Sequence, residues 1–233
     1  MRRGRQRLAF TLVELLAVLA VIALLGSLLL PALGRAKEKS KGALCLGNLR
    51  QWHLALSMYM HDNNDSIPRR GQGVQPIHDL DRPEDWFNAL PPLIGLRTYQ
   101  SAAATGTIPG PGEATVYVCP TARPTTNAYF LSYAMNFYLS PTLRPAPHRL
   151  PEIPRRALVV FMADGGCGFS STVPSSQAYS VQARHARRAN VVFLDGHARS
   201  FSGDYLGCGA GAREQADVRW QTESDGVNHA PIP

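Results

Sequence analysis

The side chains that could do chemistry in this 233-residue chain begin with a group near its C-terminal end. His185, Asp195 and His197 lie close together there, and Asp164 follows an apolar run a short way upstream. Imidazoles and carboxylates suit a metal centre or a proton-transfer dyad. Residues two apart share a strand face only while the strand is regular, and the turn between Asp195 and His197 interrupts that regularity. These residues therefore read first as a stabilised turn, with His185 hydrogen-bonding nearby backbone or carboxylate. A metal site is the second reading, in the form of a calcium-type oxygen shell involving Asp164 or Asp195. Catalysis comes last, because no Ser or Cys nucleophile motif, phosphate-cradling glycine loop or paired-carboxylate signature accompanies them. No enzyme activity is expected, and calcium is the one candidate cofactor.

Cysteines form a second group. Cys45, Cys119, Cys167 and Cys208 would make two disulfides in an oxidising compartment, and four cysteines allow three pairings. Cys45 with Cys119 and Cys167 with Cys208 is the preferred arrangement; unpaired apolar packing is the competing one. His53 and His61 read as ordinary helix residues, and Trp52, Trp86 and Trp220 as packing anchors. Arg184, Arg187, Arg188 and Arg199 read as a solvated basic face.

The remaining candidate is Glu14, the single formal charge in the 24 residues from Phe10 to Leu33. A helix of that length measures about 36 Å and spans a hydrocarbon core of about 30 Å. Its run exceeds the apolar stretch of a cleaved secretory signal and has no A-x-A-like end. A carboxylate inside such a segment costs at least about 2.5 kcal/mol and marks function by default, although snorkelling to the interface is the bland alternative.

Positioning these side chains requires few elements. Past Gly34 the apolar residues Ala36, Leu44, Leu49, Trp52, Leu56 and Met60 keep helical spacing, and residues 61–68 supply turn formers and Pro68. Phe10 to about His61 is thus predicted as one long helix, with Pro31 as a kink and Gly26, Ser27 and Gly34 weakening its middle. Glu84–Leu96 reads as a short helix and loop, Thr115–Cys119 as a strand, and Tyr129–Tyr138 as a strand or turn. Ala157–Ala163 and Ala189–Leu194 are clear strands, and Asp195-Gly196 predicts a hairpin through a type I′ turn into His197–Phe201. No βαβ alternation occurs, so the expected class is α+β: a long N-terminal helix, transmembrane then amphipathic, packed on a small antiparallel sheet in a loop-rich fold. The expected divisions are a leader over 1–9, a membrane helix over 10–33, its outer continuation over 34–62 and a globular part over 63–233, with the hairpin segment at 185–201.

Composition agrees with one modest domain plus an appendage. Hydrophobic residues at 45% exclude a disordered chain. The formal charge of +7, from 24 basic and 17 acidic residues, points toward nucleic acid only until its location is noticed. Arg2, Arg3, Arg5 and Arg7 lie in the first nine residues, and without them 20 basic residues face 17 acidic ones, leaving +3. Nucleic acid is therefore not expected as a partner.

The Arg-rich leader followed by Ala9, Phe10, Thr11, Leu12, Val13, Glu14 and a long apolar helix resembles the class III signal of type IV pilins and type II secretion pseudopilins. Pro31 also falls where many members of that family have proline, whereas Ala9 stands where the family usually has glycine. The segment His185-x9-Asp195-Gly196 is similar to one found in a subgroup of prepilin-type proteins. Cys45-Leu-Gly-Asn-Leu-Arg-Gln and Tyr117-Val-Cys119-Pro resemble the same subgroup. The resemblance implies cleavage between Ala9 and Phe10 by a prepilin peptidase and methylation of the new N-terminus. It implies a structural subunit of a type IV pilus-like or type II secretion filament, with homologous subunits and inner-membrane assembly machinery as partners. Glu14 would then pair with the Phe10 amine of a neighbouring subunit, relieving the cost of a lone charge in low dielectric.

Flanking charges alone do not orient the segment, since Arg35, Lys37, Lys39 and Lys41, offset by Glu38, nearly balance the leader. The implied processing requires a cytoplasmic N-terminus and a periplasmic or extracellular C-terminal part, in a single-pass protein of the inner membrane. The alternative is a membrane-anchored extracytoplasmic binding module or metal-dependent enzyme whose helix is only a tether.

Overall fold

The computed structural model describes residues 11–71, 80–113, 115–123, 130–140, 147–166, 171–172, 180–208 and 215–222. The leader with Ala9 and Phe10, and Cys167, lie outside the described residues. The chain divides into two units, Met1–Ser40 and Lys41–Pro233.

Helix α1 spans Leu12–Asp62, within two residues of the expected ends, and its helical backbone continues through Pro31. Its start is a capping box. Thr11 N and Oγ1 each donate to Glu14 Oε2 at 2.8 Å, while Glu14 N donates to Thr11 Oγ1 at 3.2 Å. Within the first unit every described residue is exposed except Gly26. Leu12, Ile22, Leu28, Leu30 and Leu33 are among the exposed apolar side chains there. This is the one helix among the described residues long and apolar enough to cross a membrane.

In the second unit the later part of α1 buries Cys45, Leu49, Trp52, Ala55, Leu56 and Met60. The expected stripe through Leu44 is corrected by one residue. Leu44 is 58% exposed, because five residues at about 100° each place it roughly 140° from Leu49, whereas Cys45 lies only about 40° away. Short helices α2 (Trp86–Ala89) and α3 (Tyr99–Ala104) flank a 3₁₀ turn at Pro91–Ile94. Trp52 meets Trp86 and Tyr117 edge to face, each at 5.2 Å.

Strands β1 (Tyr133–Asn136), β2 (Val160–Asp164), β3 (Ser171–Thr172), β4 (Arg188–Phe193) and β5 (Ala198–Ser202) form one sheet in the order β3-β1-β2-β4-β5. The four longer strands pair antiparallel, and the two-residue β3 runs parallel to β1 at the edge. The result is a long helix with a small, mainly antiparallel sheet, an α+β fold. Met135, Met162 and Val192 pack in one core with the α1 stripe. Val160, Ala163, Val191 and Phe193 pack in a second with Val181, Phe201, Val218 and Trp220. A register shift between Val160 and Met162 turns Phe161 and Met162 into the same core, breaking the alternation expected of a regular strand. The sheet is therefore covered on both faces, and the short helix α4 (Gly203–Leu206) closes the far core.

Two local expectations are corrected. Residues 115–119 form a bend and turn, not a strand. Three of their carbonyls are taken by helix side chains: Asn48 Nδ2 donates to Thr115 O and Val118 O, and Trp52 Nε1 donates to Val116 O. The β4–β5 hairpin is not a type I′ turn either. Only Gly196 has positive φ, at 94°, while Gly196 N donates to Phe193 O and Phe193 N to His197 O, both at 3.0 Å. That pattern is a three-residue loop ending in a left-handed glycine. The two-residue turn with both centres left-handed lies instead at Ala186 (φ 50°) and Arg187 (φ 65°), where His185 and Arg188 exchange both backbone bonds at 3.0 Å.

Candidate metal centre

Four chemically able side chains converge inside the second unit: Cys45, Cys119, Asp164 and His185, with their donor atoms all within 4.8 Å of one another. Each is delivered by a different segment. The α1 stripe turns Cys45 inward. The 115–119 turn, held to α1 by Asn48, ends at Cys119, whose N–H donates to Ser132 Oγ. Asp164 ends β2 opposite Tyr133. The two-residue turn at Ala186-Arg187 holds His185 just before β4.

The contacts are short. Cys45 Sγ lies 3.0 Å from Cys119 Sγ and 2.9 Å from Asp164 Oδ1. His185 Nε2 lies 3.2 Å from Cys119 Sγ and 3.5 Å from Asp164 Oδ2. Asp164 is fully enclosed and His185 is 7% exposed. Around them, Tyr133 OH donates to Cys45 Sγ at 3.2 Å, Thr121 Oγ1 is 3.3 Å from His185 Nδ1, and Asn190 N donates to Asp164 Oδ2 at 2.7 Å. Arg184 donates to Gly165 O beside the cluster.

Burial raises the Asp164 carboxyl to about 6, with the negative charge of Cys119 adding to the rise and Arg184 and His185 opposing it. Burial also drives the Cys45 thiol far up. Cys119 moves down, because its sulfur accepts hydrogen bonds from Cys45 and His185 despite its own burial. For His185, burial pulls the imidazole down, but the Cys119 bond and the Asp164 charge outweigh it and the net direction is upward. The site thus favours a thiolate and a cation in the protein interior.

Of the residues singled out from sequence, Asp164 and His185 meet here. Asp195 and His197 do not. They pair with each other at the β4–β5 loop, Nδ1 to Oδ1 at 2.6 Å, both partly exposed, and the His197 ring stacks on Phe193 at 4.1 Å. Cys45 and Cys119 are free thiols side by side, and Cys208 is half-buried. Sequence spacing alone does not join the two cysteines to the His and Asp. The segments around Cys45, Cys119 and His185 are the ones singled out above by resemblance, and the fold brings these three side chains to one point. Two sulfurs and an imidazole around Asp164 make a donor set quite unlike the oxygen shell of calcium.

Gly196 has its own reason to be glycine. A Cβ there would stand 2.7 Å from His53 Cε1, and His53 Nε2 donates to Leu194 O at 3.2 Å. The basic residues disperse into separate contacts: Arg188 with Ser200, Arg199 with Asp217 at 3.2 Å, and Arg187 with Asp204 at 3.9 Å. Trp52, Trp86 and Trp220 are all buried. No family model, curated protein or solved structure matches the chain.

Proposed function

We propose that the chain is a prepilin-like structural subunit, cut between Ala9 and Phe10, held in the inner membrane by the apolar part of α1, and assembled into a type IV pilus-like or type II secretion filament. The observation that carries this reading is the first stretch of α1. Its apolar side chains from Leu12 to Leu33 are about half to three-quarters exposed, and one carboxylate, Glu14, sits at its start. An apolar surface of this length requires lipid or other copies of the helix to cover it. A lipid-spanning anchor satisfies that need before assembly, and neighbouring helices satisfy it afterwards.

Glu14 gives the reading its specificity. In one chain its carboxylate caps its own helix through Thr11. After cleavage at Phe10 a new amine lies four residues away in sequence, and the Glu14 of an entering subunit can neutralise the amine of a neighbour in low dielectric. The N-terminus then faces the cytoplasm and the second unit lies outside the inner membrane. The partners are homologous subunits, the prepilin peptidase and the assembly machinery. The chain's role is assembly, with no turnover of its own.

Mass spectrometry of the mature protein tests the processing step. A chain beginning with methylated Phe10 supports it; retention of Met1, or cleavage beyond Leu33, removes it.

A further inference from the structure

The geometry points to a second property, independent of filament assembly: Cys45, Cys119, Asp164 and His185 bind one zinc ion as a closed structural centre. Tetrahedral zinc with bonds of 2.0–2.3 Å keeps its donors about 3.3–3.8 Å apart. The four short contacts here are 3.0, 2.9, 3.2 and 3.5 Å and no pair of the four donors exceeds 4.8 Å, so an ion requires donor shifts of about 1 Å or less. Two sulfurs, one imidazole and one carboxylate select zinc over the oxygen-seeking calcium and magnesium.

Hydrogen counting argues the same way. Cys45 Sγ is the donor at hydrogen-bond distance from both Cys119 Sγ and Asp164 Oδ1, yet a thiol has one hydrogen. A single divalent cation at the centre satisfies both acceptors together with His185. A disulfide would consume the two sulfurs and leave the enclosed carboxylate and imidazole without their shared purpose.

The surrounding groups are placed as outer partners of such a centre. With Nε2 on the metal, His185 Nδ1–H donates to Thr121 Oγ1, 3.3 Å away. Tyr133 OH donates to Cys45 Sγ, and Asn190 N fixes the second oxygen of Asp164. Contacts of this kind set ring orientation and ligand basicity in metal sites. Four protein ligands, all buried, leave no open position for water or substrate, the arrangement of structural and not catalytic zinc. The ion would join α1, the 115–119 turn, the end of β2 and the His185 turn, supplying free energy of folding to the second unit.

The test uses the full chain in detergent. Elemental analysis should find about one zinc per chain, and chelation should lower the thermal midpoint. Cobalt-loaded wild-type protein should give thiolate-to-cobalt charge-transfer bands with the ligand-field pattern of a tetrahedral site. Replacement of Thr121 by Val, outside the ligand set, should weaken zinc binding about 10–100-fold while the chain stays folded. His185→Ala should lose the metal outright, and if that variant does not fold, the wild-type cobalt spectrum and Thr121→Val decide. The proposal is overturned by zinc-free protein carrying a Cys45–Cys119 disulfide-linked peptide, or by cobalt spectra without thiolate bands.

Discussion

Gly196→Ala is the sharpest structural perturbation, because two separable penalties meet at one atom. Gly196 has φ 94°, a conformation that costs an L-residue about 1–2 kcal/mol. The added methyl would also stand 2.7 and 2.8 Å from His53 Cε1 and Nδ1. The ring must move, giving up its bond to Leu194 O at 3.2 Å, worth about 0.5–1.5 kcal/mol. Alanine recovers roughly 0.5 kcal/mol by restricting the unfolded chain. The net loss is about 2 kcal/mol, or roughly 4–8 °C in thermal midpoint for a unit of this size. Urea unfolding of detergent-solubilised full-length protein, followed by the fluorescence of Trp52, Trp86 and Trp220, measures it. In a His53→Ala background the same substitution should cost about 1 kcal/mol less, since only the backbone strain remains. A loss below 0.5 kcal/mol, or an identical loss with and without the imidazole, would refute the contact between α1 and the β4–β5 loop.

Two other perturbations follow from local strain and burial. Arg187→Gly relieves a left-handed residue (φ 65°) whose side chain is 90% exposed. It should stabilise the chain by about 0.5–1 kcal/mol in the same urea assay, because the exposed pair with Asp204 contributes little. Asp85 is 1% exposed, and neither of its carboxylate oxygens has a hydrogen-bond partner among the described residues. Burial raises its carboxyl to about 7, against the pull of Arg82 and with a push from Glu84. The folded state therefore holds the proton more tightly than the unfolded state. Stability from this group is fully present below about pH 4 and is lost as pH rises through 7. A rise from 3.8 to about 7 corresponds to about 4 kcal/mol at most, and screening by solvent and nearby arginines reduces this to roughly 2 kcal/mol. Asp85→Asn should remove that part of the fall in stability between pH 4 and 7.5, and an unchanged pH profile would contradict it.

The sequence was most legible where one physical signal dominates over many residues. The apolar run, the amphipathic continuation and the Asn63-Asn64-Asp65 stop place α1 almost to its observed ends, and dense Val and Phe place β2 and β4. Cys45 was harder to place on the buried stripe because Leu44, one position earlier, is the better apolar residue yet lies on the wrong side of the helix. The 115–119 segment reads as a strand by composition, but its backbone is bonded by the Asn48, Trp52 and Ser132 side chains, which no local pattern reveals. The turn at Ala186-Arg187 has no turn-forming residue; its left-handed pair is imposed by the antiparallel exchange between His185 and Arg188. The metal centre was legible least of all. Its cysteines are 74 residues apart and Cys45 is 119 residues from Asp164, so only the packed fold puts them in one place.

Glu14 carries the functional reading, and its two roles can be separated by one atom type. Glutamine in place of Glu14 retains the capping box with Thr11 but carries no charge to neutralise a neighbour's amine. Recovery of sheared fibres by sedimentation, from cells producing either chain at equal level, measures assembly directly. The account predicts that Glu14→Gln, like Glu14→Ala, leaves the protein in the membrane fraction with no subunits in fibres. Fibres of Glu14→Gln in wild-type amount would show that capping alone is what the carboxylate supplies, and would contradict the proposed pairing between subunits.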